Sequence, residues 1–332
     1  MITIISYRQQ ATHTGYSDFE VVEVMLEGDG MALAACGRLL AGYCRVGRLA
    51  GPGRARLPVV LMNGTSWRLY GDIFGRERIS GGWPILKRVV RWGGETREFP
   101  HEAMVVSEQE LLAGAATEVE EAAAGQFRVV GSRGPMELVG ERQVGLWRGR
   151  LKSGAPGDTC WMEATESGWI FAAATSEREA VVMAAGGELE GLMGESKLVG
   201  GVVEAEEELG RLGSEPGMAR VMRGSDWVGC GGAALRFDPI CGEGMGHALR
   251  EGILVSAILR RRDRNEAMWE MYEDRLRAGF WRHLRNCLEF YRSGGRGEWW
   301  RKQAGELEGA LGRYEHVPAA TRWRLEGFEL VG

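Results

Sequence analysis

The sequence predicts an α/β chain in three parts: a parallel strand–helix–strand unit near the N-terminal end, an antiparallel meander in the middle, and a helical C-terminal region. Three stretches carry that expectation. Phe19–Leu26 reads as a strand; Glu27-Gly28-Asp29-Gly30-Met31-Ala32 follows, then a helical pattern over Leu33–Ala41 ending near Gly42, then a second strand over Cys44–Leu49. Between Thr159 and Met183, the apolar runs Cys160–Ala164, Gly168–Ala172 and Ala180–Met183 are separated by turn residues, the pattern of an antiparallel meander. Beyond Leu259 the chain becomes charged, and Trp269, Tyr272, Leu276, Phe280, Trp281, Leu284, Cys287, Leu288 and Tyr291 recur at helical spacing as a packing stripe.

The remaining elements follow in order. Val59–Met62 reads as a strand end that passes through Gly64 into a helix carrying Leu69 and Ile73. Arg76–Glu98, broken by Gly81-Gly82, Trp83-Pro84 and Trp92-Gly93-Gly94, predicts short strands and hairpins. Ser107-Glu108-Gln109-Glu110 has the form of a capping box and opens a helix to about Ala124, with Glu118, Glu120 and Glu121 on a solvated face. Phe127–Val130 is a strand that ends in a glycine turn, Gly131-Ser132-Arg133-Gly134-Pro135. Gly186–Pro216, rich in glycine and glutamate, is expected to be helical and exposed. The tail from Arg296, with Trp299-Trp300, predicts a terminal helix and an irregular end.

Composition narrows the function. A net charge of -5 leaves no basic excess to neutralise phosphates, which argues against a nucleic-acid binder. No apolar run approaches the roughly 18–20 residues of a membrane span. The Met1–Tyr7 stretch lacks a charged n-region, so no signal peptide is expected. Cys36, Cys44, Cys160, Cys230, Cys241 and Cys287 form no C-x-x-C pair, and the five histidines form no H-E-x-x-H. They predict reduced, mostly buried thiols in a cytoplasmic protein and no metal site. Twelve tryptophans point to an aromatic core or an aromatic-lined pocket.

The chemistry-bearing stretch is Asp238-Pro239-Ile240-Cys241-Gly242-Glu243-Gly244-Met245. An Asp-Pro turn leads into a Gly-x-Gly pair, and an apolar-periodic helix (Met245, Ala248, Leu249, Ile253, Ala257, Ile258) starts behind it. A helix N-terminus behind bare glycines accepts an anion or a dipole, although the same loop also reads as a plain helix cap. This run, with the small residues Gly231–Ala234 before it, resembles the second flavin-binding motif of FAD-dependent aromatic hydroxylases and flavin-dependent halogenases. Gly64-Thr65-Ser66 with Leu69, Ile73 and Gly75 is similar to the Gly-Glu-Ser helix of the halogenase and geranylgeranyl-reductase branch. Val129–Gly134 is similar to the family's Asp-Ala-Thr/Ser-Gly turn. Ser107-Glu108 sits where Ser/Asp-Arg opens a helix, and Phe280-Trp281-Arg282 resembles the branch's C-terminal helices. The order of these pieces is more specific than any one of them.

The resemblance implies a Rossmann-like FAD-binding domain of the GR2 type, an inserted antiparallel β-sheet substrate domain and a C-terminal helical region. The implied boundaries are 19–75, 103–150 and 218–262 for the FAD-binding parts, 76–102 and 151–217 for the substrate sheet, and 263–332 for the helices. It assigns cofactor contacts to Gly28, Gly30, Arg38, Gly232, Asp238, Pro239, Gly242, Glu243, Gly244 and Met245. The departures fall on the ADP half and the ribityl chain. Leu33 replaces the third fingerprint glycine, Ala50 or Gly51 the strand-end acid, Thr65 the helix glutamate and Glu108 the arginine, while Gly131 and Gly232 replace two aspartates. FAD is therefore the implied cofactor, held weakly or lost.

Two functional readings stay open. One is an FAD-dependent monooxygenase-like oxidoreductase that hydroxylates or halogenates an aromatic ring, such as tryptophan in a peptide or partner protein, with reduced flavin drawn from a reductase partner. The other is a non-catalytic or weakly flavin-binding relative that serves as a binding or assembly partner in a biosynthetic pathway. A reductase of isoprenoid-like lipids is a third, weaker fit to so many tryptophans. A halogenase carries W-x-W-x-I-P and a lysine; here Trp169-Ile170-Phe171-Ala172-Ala173-Ala174 keeps only the first Trp, and Lys87 is the candidate lysine. His247, in the first turn behind the cradle, is a candidate for the flavin or substrate face, although a capping or packing role is the better reading.

Overall fold

The computed structural model describes residues 23–51, 56–75, 81–116, 127–131, 134–317, 319 and 321–332. Met1–Tyr7, Phe19–Val22, Arg76, Glu118, Glu120, Glu121, Ser132 and Arg133 lie outside the described residues. The predicted crossover is present. β1 (Glu23–Glu27) leads through the Gly28 and Gly30 turn into α1 (Met31–Leu40), and β2 (Arg45–Leu49) pairs in parallel with β1. The middle of β1 (Val24, Met25, Leu26) is buried throughout, as a strand covered on both faces requires.

β3 (Val60–Asn63) runs directly into α2 (Gly64–Phe74). The Asn63 side chain accepts the Ser66 amide at 2.9 Å, and left-handed Gly75 (φ 69°) ends the helix. The stretch expected to hold short strands is instead one long hairpin, β4 (Trp83–Trp92) and β5 (Glu95–Val106). Gly93 and Gly94, both at positive φ, make its turn. α3 (Glu108–Gly114) opens with the predicted capping box between Ser107 and Glu110 and ends at Gly114; most of the expected continuation to Ala124 lies outside the described residues.

β6 (Phe127–Val130) returns beside β1 in parallel, and β7 (Met136–Leu138) starts a small sheet. β8 (Gln143–Leu151), β9 (Thr159–Ala164), β10 (Trp169–Ala174) and β11 (Glu179–Ala185) build the antiparallel meander. Residues 143–150, which the resemblance counts with the nucleotide-binding part, lie in the large sheet. The 186–216 stretch is helical only in its first part. α4 (Leu189–Glu195) and α5 (Val199–Val202) give way to β12 (Val203–Gly213), paired with β8. Its glutamates face arginines of β8, with Arg148–Glu207 at 2.6 Å and Arg150–Glu204 at 2.8 Å, so charge that looked helical decorates a sheet edge. The pairing shifts register twice, between Ala205 and Glu207 and between Glu208 and Gly210.

β13 (Gly217–Ala219), β14 (Trp227–Gly229) and β15 (Leu235–Arg236) complete the sheets, and α6 (Gly244–Leu259), α7 (Glu266–Gly294) and α8 (Glu298–Tyr314) follow. The tail ends in a hairpin, β16 (Arg324–Glu326) and β17 (Glu329–Val331). Among the described residues there is a parallel sheet in the order β14-β6-β1-β2, an eight-stranded sheet β12-β8-β11-β10-β9-β4-β5-β3, and a small sheet β15-β13-β7. The largest core joins the parallel sheet to the stripe on α7 and to Trp300 and Leu307 of α8. The predicted stripe is thus a packing face. Trp169 is buried in the same core, so the partial halogenase-like run is a plain interior strand. No helix is long and apolar enough to cross a membrane among the described residues.

Candidate functional site

The C-terminal ends of β1, β6 and β14 converge on the N-terminus of α1, the place where an open parallel sheet offers a ligand crevice. Gly28 (φ 99°) and Gly30 (φ 117°) turn the chain in conformations that favour glycine. The first helical bond of α1 is Ala34 N to Gly30 O at 3.0 Å, and no acid lies in the first turn, so the helix N-terminus keeps its positive end. Between the two glycines, Asp29 is paired with Arg56 at 2.9 Å. Leu33 lies against Gly131: a Cβ added at Gly131 would stand 2.5 Å from Leu33 Cδ1 and 2.9 Å from the Asp29 carbonyl. The glycine lost at position 33 and the side chain lost at position 131 therefore compensate in space.

α6 lies across α1, with Gly252 against Ala32, Ala35 and Cys36. That crossing falls eight residues beyond Gly244, about 12 Å along α6. Below it Glu251 Oε2 accepts the Gly231 amide at 2.7 Å, while Oε1 has no partner. Burial holds this carboxyl up to about 8.

At the other end of α6 lies the Asp238–Met245 loop. Asp238 caps a short 3-10 turn, Pro239–Cys241, accepting the Ile240 amide at 3.0 Å, and Gly242 is left-handed (φ 65°). Gly242 has nothing within 4 Å of an added Cβ, and the nearest atom at Gly244 is Phe237 Cβ at 4.0 Å. Both are exposed, as is Gly232. The first helical bond here is His247 N to Glu243 O at 3.1 Å, so the amides of Gly244, Met245 and Gly246 stand outside the ladder and no acid occupies the first turn. An electron-rich or anionic planar group could sit on this end with its negative edge toward the amides.

The other candidate residues divide. The Asp238 carboxylate points inward: Arg142 donates to it, and Tyr291 Oη donates at 2.9 Å. It supports the loop from beneath. Glu243 accepts from Asn286 Nδ2 at 3.1 Å and contacts His283 Nδ1 at 3.3 Å, and the His283 hydrogen bond holds its carboxyl low. The ring of His247 stacks on Phe237 with centroids 4.3 Å apart, and burial pushes it down to about 4, a neutral packing histidine near pH 7. Arg38 is exposed in the last turn of α1, and Lys87 is an exposed strand residue 3.3 Å from Glu98. Neither joins the cradle.

The fold also gathers residues that sequence spacing did not connect. Cys241 Sγ is 3.5 Å from Cys287 Sγ, which is 3.3 Å from His283 Nε2. The Asp238 amide donates to that same Nε2 at 2.8 Å. The amide donor requires a lone pair at Nε2, so the proton belongs on Nδ1, facing Glu243.

No family model and no curated protein matches the chain. Solved structures do. A peptidyl tryptophan dihydroxylase, QhpG, essential for tryptophylquinone cofactor biogenesis, is 19% identical with a TM-score of 0.64, over 86% of this chain and 79% of that one. A flavin-dependent halogenase, CmlS, is 15% identical with a TM-score of 0.71, over 90% and 71%. The 2,6-dihydroxypyridine-3-hydroxylase of Arthrobacter nicotinovorans is 12% identical with a TM-score of 0.61, over 86% and 94%. The chain has the fold of the FAD-dependent aromatic hydroxylases and halogenases.

Proposed function

We propose that the protein is a flavin-dependent oxidoreductase that modifies an aromatic ring, with a tryptophan in a peptide or partner protein as the substrate class. The open loop at Gly242 and Gly244, with no acid in the first turn of α6 behind it, carries this reading. When bound, the flavin would supply the oxidation chemistry. The amides of Gly244–Gly246 would hold the electron-rich edge of its ring, and Arg142 and Tyr291 would fix the loop through Asp238. The bare N-terminus of α1, one α6 crossing away, would take the pyrophosphate. The similarity to a peptidyl tryptophan dihydroxylase supports the substrate class.

Reconstitution tests this. FAD is added to purified protein, and binding is followed by flavin absorbance and by titration calorimetry. Gly244→Ala places a side chain in the cradle without meeting the fold, since the nearest atom is 4.0 Å from its Cβ. It should weaken FAD at least tenfold with unchanged melting. A wild type that takes up no FAD in excess, or a variant with equal affinity, refutes the reading. A second reading rests on Leu33 packed against Gly131 where the family keeps room: the fold retained as a partner-binding scaffold. The same titration decides between the two.

A further inference from the structure

We propose that Cys241, His283 and Cys287 form a zinc site that clamps the cradle loop to α7. Their donor atoms all lie within 4.8 Å of one another. Zn–S bonds of about 2.3 Å and Zn–N bonds of about 2.0–2.1 Å in tetrahedral geometry give S···S edges of about 3.8 Å and S···N edges of about 3.5 Å. The edges here, 3.5 Å between the sulfurs and 3.3 Å from Cys287 to His283, lie a few tenths of an ångström inside those values. An ion would enter by spreading three side chains slightly.

The sequence places the ligands on unequal supports. His283 and Cys287 are one helical turn apart on the buried face of α7, each with 0% exposure, so two ligands are rigid. Cys241 ends the 3-10 turn and is partly exposed, which leaves an entry path and a fourth position for water. Glu243, held by Asn286, faces His283 Nδ1 at 3.3 Å, the carboxylate–histidine arrangement that orients imidazole ligands. The lone pair at Nε2, now taking the Asp238 amide, is the one an ion would use. Losing that hydrogen bond is small beside three metal bonds. Binding releases two thiol protons, and two thiolates with one Zn2+ leave the cluster neutral. The mixed sulfur and nitrogen set favours zinc over magnesium or calcium.

The full chain is purified with a thiol reductant and its zinc measured by elemental analysis, then the stripped protein is titrated with cobalt(II). One zinc per chain is expected, with a thiolate-to-cobalt charge-transfer band and the intense visible bands of tetrahedral cobalt. Cys241→Ser and His283→Gln should each weaken zinc at least about 100-fold, and Glu243→Gln about 10-fold, while Cys160→Ser leaves it unchanged. Cys241 is partly exposed, so its variant should fold even where a variant of a buried ligand does not. Reduced protein that takes up neither metal overturns the proposal. So does a Cys241–Cys287 disulfide in the purified chain with no metal uptake after reduction. FAD titration in parallel keeps this outcome separate from that of the cradle.

Discussion

Replacing Glu251 with Gln should change the pH dependence of stability more than the stability itself. Folded Glu251 is buried on α6 beside the Gly231 turn, and burial pushes its carboxyl up to about 8 from an ordinary 4.5. The folded chain therefore holds one proton that the unfolded chain releases between these values. Stability is fully present below pH 4.5 and declines as pH rises, by about 1.4 kcal/mol per pH unit, until about pH 8. Over the whole window this amounts to about 4–5 kcal/mol. Gln removes the ionisation, keeps an acceptor for the Gly231 amide, and leaves its second polar atom unpaired as Oε1 is now. The variant should match or fall slightly below wild type near pH 5 and exceed it above pH 7. Urea melts at pH 5–8.5, compared as variant minus wild type, cancel every other titrating group. Parallel profiles across that range would show that the carboxyl is not held protonated, and the reasoning would fail.

Other outcomes follow from the same geometry. Gly131→Ala should destabilise by about 1–3 kcal/mol through overlap with Leu33, and Leu33→Ala by about 2–5 kcal/mol through a cavity. The double variant should cost at least ~1 kcal/mol less than the sum, and strict additivity in urea melts would deny the contact. Arg142→Met strands the buried Asp238 carboxylate and should cost about 3–5 kcal/mol; Asp238→Asn on that background should recover part of it. A single variant that melts like wild type would mean the pair is not closed. Lys87→Ala, on an exposed strand position, should leave both melting and FAD affinity unchanged, and any loss of affinity would return Lys87 to the site.

Local rules made much of this fold legible in the sequence. The Gly28 and Gly30 turn, the Ser107 capping box, the meander and the Asp-Pro turn into the Gly242–Gly244 pair each follow from φ preference, capping or alternation over a few residues. Each appears where those rules place it. β12 was hidden because its glutamates suit a helix surface as well as a strand edge, and only pairing with the arginines of β8 distinguishes the two. The compensation between Leu33 and Gly131 spans 98 positions and exists only in three dimensions. Cys241 lies 46 residues from Cys287, and no spacing rule links a loop thiol to a helix face. The inward turn of Asp238 was equally invisible, because its partners Arg142 and Tyr291 come from distant elements.

The glutamate-rich strand β12 has a consequence for how molecules of this protein meet. An eight-stranded sheet ends in two rows of open backbone groups that could template another chain. On one side β3 offers only four residues. On the other, a visiting strand would meet Glu204, Glu206, Glu207 and Glu208 within five positions and a ladder broken at two irregularities. Pairing there would require stripping water from carboxylates already committed to arginines of the same sheet. The β12 edge is thus guarded against edge-to-edge pairing by charge and kink.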